Sequence, residues 1–205
     1  SVRDMFTNQI DRFVINDRKK YNKVLEFIST YAPSLKNKVE YFNLATNIFE
    51  YFQIEQKLSK ALQKRVWLKS GGYIVIDETE ALTVIDVNTG KFVGKNDVSE
   101  TILKTNIEAA FEIARQIRLR DIGGIIIIDF IDMKNQDHQK IVLDTLKEAL
   151  KRDKTKTVVV GITPLGLVEM TRKKVRQRLS SIMLSCCPYC EGSGKIMSAE
   201  TIAHK

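Results

Sequence analysis

Apolar and polar positions along this chain follow two rhythms, one of about 3.6 residues and one of two. Residues 10–16 (IDRFVIN) read as a strand. Asp17 can cap a helix running to about Tyr31, in which Tyr21, Val24, Leu25 and Ile28 recur at helical spacing. Ala32-Pro33 ends it, because the residue before a proline is pushed out of the helical region. A short strand at 38–42 follows, then a helix over about 46–64 striped by Ile48, Phe52, Leu58 and Leu62. Strand, helix, strand, helix is the order of a parallel α/β layer.

From residue 65 the rhythm shortens. Residues 65–69 (RVWLK) and 73–78 (YIVIDE) predict strands split by Ser70-Gly71-Gly72, and a turn at 78–80 leads into a strand at 81–87, making an antiparallel hairpin. A turn at Asn88-Thr89-Gly90 and a basic loop, 91–97, precede a long helix from about Ser99 to Arg120. Ile102, Asn106, Ala109, Ile113 and Ile117 form the stripe of that helix that should lie on the sheet. Arg115, Arg118 and Arg120 fall in its last turns, where cations suit the helix dipole. Ile125–Ile128 is apolar enough to predict a strand buried on both faces. A helix over about 137–152 with Asp137 as N-cap, a strand at 157–161 and a final helix over 166–183 bearing Arg172, Lys173, Lys174, Arg176 and Arg178 complete the reading. The class is α/β with an antiparallel hairpin inserted at the centre.

Composition changes this picture only in sign. The 205 residues are 43% hydrophobic and 28% charged, with a net charge of +8, which favours a polyanionic partner. No apolar run reaches the roughly 20 residues that span a bilayer, and SVRDMFTNQIDR lacks the apolar centre of a secretory signal, so a cytoplasmic location is expected. The three cysteines lie within five residues, at 186, 187 and 190, which is not a disulfide framework.

The chemistry concentrates where strands end in aspartate. Asp86 closes one apolar run and Asp129 another. An ionised carboxylate at the end of a buried strand costs several kcal/mol unless it is paired or binds a metal. At the same ends of neighbouring strands the two would make a pocket for Mg²⁺, a cation commonly held by one or two carboxylates plus water and phosphate. Asn88 shares the strand face of Asp86 and could orient that carboxylate or hold a scissile phosphate. Alternatively Asp86 and Asn88 cap the turn at 89–90, and Asp129 caps a helix or pairs with a buried arginine. Asp132 reads as a loop carboxylate, His138 as a surface or capping residue, and Asp77 as structural or supporting.

Cys187-Pro188-Tyr189-Cys190 has the spacing that lets two thiolates reach one tetrahedral zinc, with Gly192 and Gly194 shaping a knuckle. One pair gives two of four ligands, and neither His138 nor His204 is placed to add to them. The others would most simply come from a second copy across a two-fold axis. A redox pair or two idle thiols is the competing reading, and Cys186 stays unassigned.

Four stretches together resemble the ribonuclease E/G family: VWLKSGGYIVIDETEALTVIDVNTG (66–90), ETILKTNIEAAFEIARQIRLRDIGGIIIIDFIDM (100–133), LGLVEMTRKKVR (165–176) and CPYCEGSGKI (187–196). VRDMF and IDRFVIND near the start are similar to the stretch entering this region. The resemblance implies an RNase H-like subdomain at 1–62, a DNase I-like mixed-sheet catalytic domain at 63–183, a CxxC zinc link at 184–196 and the start of a shortened C-terminal segment at 197–205. It assigns the magnesium-binding aspartates to Asp86 and Asp129, the assisting asparagine to Asn88, and an intersubunit zinc link to Cys187 and Cys190. It implies hydrolysis of single-stranded RNA to 5′-phosphate and 3′-hydroxyl ends, in rRNA maturation and mRNA decay, by a dimer or a dimer of dimers. Lys156 stands where relatives often carry arginine; it keeps an RNA-binding charge but loses bidentate phosphate geometry. The family's S1 and 5′-monophosphate-sensor domains would precede residue 1. Two alternatives follow: a zinc-linked, non-catalytic RNA-binding scaffold, or a fragment inactive without those domains.

Overall fold

Two units divide the chain, Ser1–Leu58 and Ser59–Lys205. The computed structural model describes residues 10–90 and 98–203. The basic loop at 91–97, His204 and the VRDMF stretch therefore lie outside the described residues.

In the first unit, β1 (Phe13–Ile15) pairs in parallel with β2 (Val39–Tyr41). Between them run α1 (Arg18–Tyr31) and a 3₁₀ segment (Pro33–Lys38). Asp17 caps α1 as the sequence predicts, accepting from the Lys20 N–H at 2.9 Å. Ile28, Leu35 and Val39 form the small core, with Phe13, Ile15, Tyr21, Val24 and Leu25 against it. The helix expected over 46–64 is two helices, α2 (Ile48–Tyr51) and α3 (Ile54–Ala61). Gln53 breaks it with a φ of +54°, while Phe42, Tyr51 and Phe52 pack ring against ring beside the break.

The second unit is a mixed six-stranded sheet. Its strands are β3 (Arg65–Trp67), β4 (Tyr73–Glu78), β5 (Leu82–Asn88), β6 (Gly124–Asp129), β7 (Thr157–Ile162) and β8 (Val168–Arg172), in the spatial order β3-β4-β5-β6-β8-β7. Only β5 and β6 are parallel neighbours, and α4 (Val98–Leu119) lies in the crossover between them. α5 (Gln136–Leu150) packs beside α4. The expected central hairpin is β4–β5.

Side chains alternate cleanly across this sheet. Ile74, Ile76, Ile85, Val87, Ile126, Ile128, Val168 and Met170 face α4 and α5 and share one core with Ala109, Ile113, Ile117, Val142 and Leu146. On the opposite face the described side chains are half-buried or exposed, with none of α4 or α5 against them. Ile125 is 51% exposed there, which corrects the expectation that 125–128 is buried on both sides. Four isoleucines in a row satisfy a two-sided core, but they also satisfy a one-sided one by placing alternate members outward.

Two further expectations fail. Residues 168–172 belong to a strand, β8, and only Leu179–Met183 (α6) of the expected 166–183 helix is helical. Val168, Met170 and Arg172 are buried while Glu169 and Thr171 are exposed, a two-residue rhythm masked in the sequence by the arginine at an inward position. Arg172 can point inward because its guanidinium pairs with Asp153 at 2.7 Å and Asp121 at 2.8 Å. The N-cap of α5 is Asn135, whose side chain accepts from Asp137 N–H at 2.8 Å, so Asp137 sits in the first turn instead. After α6 the chain ends in turns and α7 (Ala199–Ala203). Among the described residues no helix is long and apolar enough to cross a membrane.

Candidate active site

The parallel pairing of β5 with β6 sets Asp86 directly beside Asp129. Both alternate with core residues, Ile85 and Val87 on one strand and Ile128 on the other, so both carboxylates stand on the open face. Adjacent strands are about 4.8 Å apart, close enough for two carboxylates to share one cation. Asn88, two residues on, donates from Nδ2 to Asp86 Oδ2 at 2.7 Å. That bond fixes the Asp86 carboxylate. Partial burial, then the negative charges of Asp86 and Asp132, raises the Asp129 carboxyl above its ordinary value. A pair of this kind is relieved by a hard divalent cation.

The end of β5 is held from below by close backbone packing. A Cβ on Gly72 would lie 2.8 Å from the Asn88 carbonyl oxygen, and one on Gly90, where φ is +62°, would lie 2.3 Å from the Gly71 carbonyl. Only glycines let the β3–β4 turn meet the turn after β5 this closely. Glu108 of α4 braces that turn by accepting from the Lys69 and Ser70 N–H groups, at 2.5 and 2.9 Å. Burial raises the Glu108 carboxyl, but its bonds from Ser70 and Lys69 outweigh this and hold it below its usual range.

The end of β6 is held from above. Asn106, fully buried on α4, donates to the Ile131 carbonyl at 2.8 Å and accepts from the Ile131 N–H at 3.1 Å. Ile131 lies two residues beyond Asp129, so this amide sets where that strand ends. The helical stripe contained Asn106, but spacing could not show its work; the signal was a polar amide in an otherwise apolar row. Gln139 holds the next part of the loop by donating to the Met133 carbonyl at 2.7 Å.

The remaining expected residues are elsewhere. Asp77 pairs with Lys64 at 2.6 Å, a structural contact on the open face. Lys156 is not brought to the carboxylates. It precedes β7, whose first residue pairs with Arg172, which in turn pairs with Gly124 at the opposite end of β6 from Asp129. Strand spacings place it roughly 20 Å away. There it lines an open depression of about 460 Å³ with Lys147, Lys151 and Lys154.

Cys186, Cys187 and Cys190 are free thiols in the terminal turns. N–H groups of Gly194 and Gly192, then Cys187, hydrogen-bond Cys190 and lower its thiol below the usual value. Left-handed backbone at Glu191, Gly192 and Gly194 (φ +49°, +85° and +67°) turns those amides inward. Among the described residues no three or more histidine, cysteine or acidic side chains gather where they could hold a metal, so within one chain the two carboxylates and the two thiols remain pairs.

The sequence model of the ribonuclease E/G family matches residues 1–175. The chain is similar to ribonuclease G of Escherichia coli (strain K12), 47% identical over 204 residues, covering 100% of this chain and 42% of that protein. It is 46% identical, with the same coverage, to ribonuclease G of Salmonella typhimurium (strain SL1344). It is 39% identical to ribonuclease E of Haemophilus influenzae over 203 residues, covering 99% of this chain and 22% of that protein. The chain thus spans about two fifths of its ribonuclease G relatives.

Proposed function

The chain belongs to the ribonuclease E/G family, and from that membership we propose that it carries the cleavage centre of a Mg²⁺-dependent endoribonuclease acting on single-stranded RNA. One observation supports this most: Asp86 and Asp129, side by side on the open face, with the Asn88 amide fixed on Asp86. A Mg²⁺ bound there would supply Lewis acidity at the scissile phosphate and make a bound water easier to deprotonate near neutral pH. Asp86 and Asp129 would hold that ion, and Asn88 keeps the Asp86 carboxylate in the orientation that ligation needs. In the overall hydrolysis a water oxygen bonds to phosphorus as the bond from phosphorus to the 3′ oxygen of the preceding sugar breaks and that oxygen takes up the proton, giving a 5′-phosphate and a 3′-hydroxyl. The open sheet face gives a flexible single strand room to bend towards the carboxylates. Lysines around Lys156 attract a more distant part of the backbone through a salt-dependent term.

In this reading the first unit is the RNase H-like subdomain, carrying the parallel β1–β2 pair, and the sheet of the second unit is the DNase I-like domain. Cys187 and Cys190 share a Zn²⁺ with the same residues of a second copy, making a dimer or a dimer of dimers. The lowered Cys190 thiol supports a thiolate ligand. The enzyme works in the cytoplasm, in rRNA maturation and mRNA decay.

The test is cleavage of a short fluorescent single-stranded RNA with Mg²⁺, comparing the parent with Asp129→Asn. A loss of at least a hundredfold in the variant, and full loss in chelator, is expected. Equal cutting by both proteins would remove Asp129 from the chemistry. No cutting by either would favour a scaffold, or a piece that needs the rest of its protein.

A further inference from the structure

Two rows of side chains cross the open face of the sheet, and only one holds the carboxylates. Strand register lines up Arg65, Val75, Asp86 and Asp129 in the first row. The second runs Trp67, Tyr73 and Asn88. Trp67 is the single tryptophan of the chain and stands 64% exposed on the edge strand β3. Its ring meets that of Tyr73 edge-on, with centroids 5.2 Å apart and planes at 60°. The Arg65 guanidinium lies 4.4 Å from the Tyr73 centroid and 5.8 Å from that of Trp67.

A large aromatic so exposed adds little to the core, which lies on the other face of the sheet. Tyr73 and Arg65 nevertheless hold its ring upright. Two strand spacings separate Trp67 from Asn88, about 10 Å, so the aromatic row ends beside the amide that orients Asp86. An aromatic face flanked by a guanidinium is the surface on which single-stranded nucleic acids lay their bases. The cation can serve the ring and a phosphate together, in a chain of net charge +8.

We propose that Arg65, Trp67 and Tyr73 form a stacking platform that receives an unpaired nucleobase of the RNA a short step along the strand from the scissile phosphate. The proposal rests on the endonuclease reading above and adds a base-binding subsite to it. It also supplies a physical reason for preferring single strands. A paired base has its faces covered by neighbours in the duplex and cannot lie on the ring without being flipped out. The platform reads stacking surface more than base edges, so it tolerates sequence.

Because Trp67 is the only tryptophan, its fluorescence reports the platform directly. The full chain is titrated, in chelator so that nothing is cut, with a single-stranded RNA oligonucleotide and with a duplex of the same sequence. Saturable quenching by the single strand, and much weaker quenching by the duplex, is expected. By fluorescence anisotropy of a labelled oligonucleotide, Tyr73→Ala and Trp67→Ala bind about tenfold or more weakly, whereas Trp67→Phe stays within about threefold of the parent. In the cleavage assay Trp67→Ala raises KM and leaves kcat unchanged. Unaltered melting temperatures confirm that the exposed substitutions leave the fold intact.

Equal quenching by duplex, no quenching, or parental affinity in Trp67→Ala would overturn the platform. So would a Trp67 signal that follows protein concentration instead of RNA, which would mean that a second copy covers the face. The two readings fail separately. Cleavage with parental KM in Trp67→Ala sinks the platform alone, and strand-selective quenching by a protein that never cuts counts against the endonuclease reading of this chain alone.

Discussion

Substituting Asp129 by asparagine should make the metal-free protein more stable while it destroys the site. In the folded state the Asp129 carboxylate stands one strand from that of Asp86 and near Asp132, and partial burial first, then those two charges, raises its affinity for a proton. Two charges 5–6 Å apart repel by about 3 kcal/mol at an effective dielectric constant of 20 and by under 1 kcal/mol in water. Asp129 is exposed, so the lower part of that range applies, about 1 kcal/mol. For a chain of this length that is about +3 °C in Tm. Because the folded-state affinity for protons is raised, the penalty is complete above the folded pKa and disappears below the unfolded value near 3.8. The gap between the two proteins should therefore close in acid. Mg²⁺ at ten times its Kd should stabilise the parent by about 1.4 kcal/mol, roughly 4 °C, and the variant hardly at all. The assay is thermal unfolding of both proteins, with chelator and with Mg²⁺, at neutral and at acid pH. A variant that melts below the parent in chelator, or gains as much from Mg²⁺, would refute the reasoning.

Arg172, buried between Asp153 and Asp121, is where the fold itself is most sensitive: Arg172→Met should cost about 3–5 kcal/mol, read as a drop in the urea midpoint. Burial raises the Asp153 carboxyl but the bond from Arg172 lowers it further, so this stabilisation is complete above about 3.8 and fades as the pH falls through the depressed folded value; Asp153→Asn should flatten that acid limb. Asn106→Ala strands the Ile131 N–H and carbonyl, with an expected loss of about 1–3 kcal/mol by denaturant titration and a fall in kcat larger than the stability loss explains. Cys187→Ser should be monomeric with or without zinc in analytical ultracentrifugation, while the parent should lose its dimer only in chelator; a dimer indifferent to both would remove the zinc link.

The carboxylates were legible in the sequence because each closes an apolar run, and strand parity placed Asn88 beside Asp86 without any tertiary information. Placing them together needed only the inference that both strands end at the same edge. Arg172 misled because its charge is cancelled by Asp121 and Asp153, distant along the chain, so β8 read as a helix. Trp67 and Tyr73 read as ordinary strand residues; only the register of β3 with β4 shows that they share a face with the site. The distance of Lys156 from the carboxylates was not legible in the sequence; only the register of β7 with β8 and of β8 with β6 puts it at the other end of the sheet.

The four isoleucines of β6 have a consequence for how the protein folds. Ile125–Ile128 would fill the core almost equally well if β6 slid by one residue, since either parity presents isoleucines to α4 and α5. Hydrophobicity therefore cannot proofread this strand, although a slip would turn Asp129 towards the core and away from Asp86. Polar groups at its far end do the proofreading: the Asp129 carboxylate resists burial, and the Asn106 amide accepts only the backbone of Ile131. A chain that slipped there would keep isoleucines in its core but would lose the side-by-side Asp86 and Asp129. In such a population the fraction folded and the fraction active would part company, and counting active sites by titration would show it where circular dichroism would not.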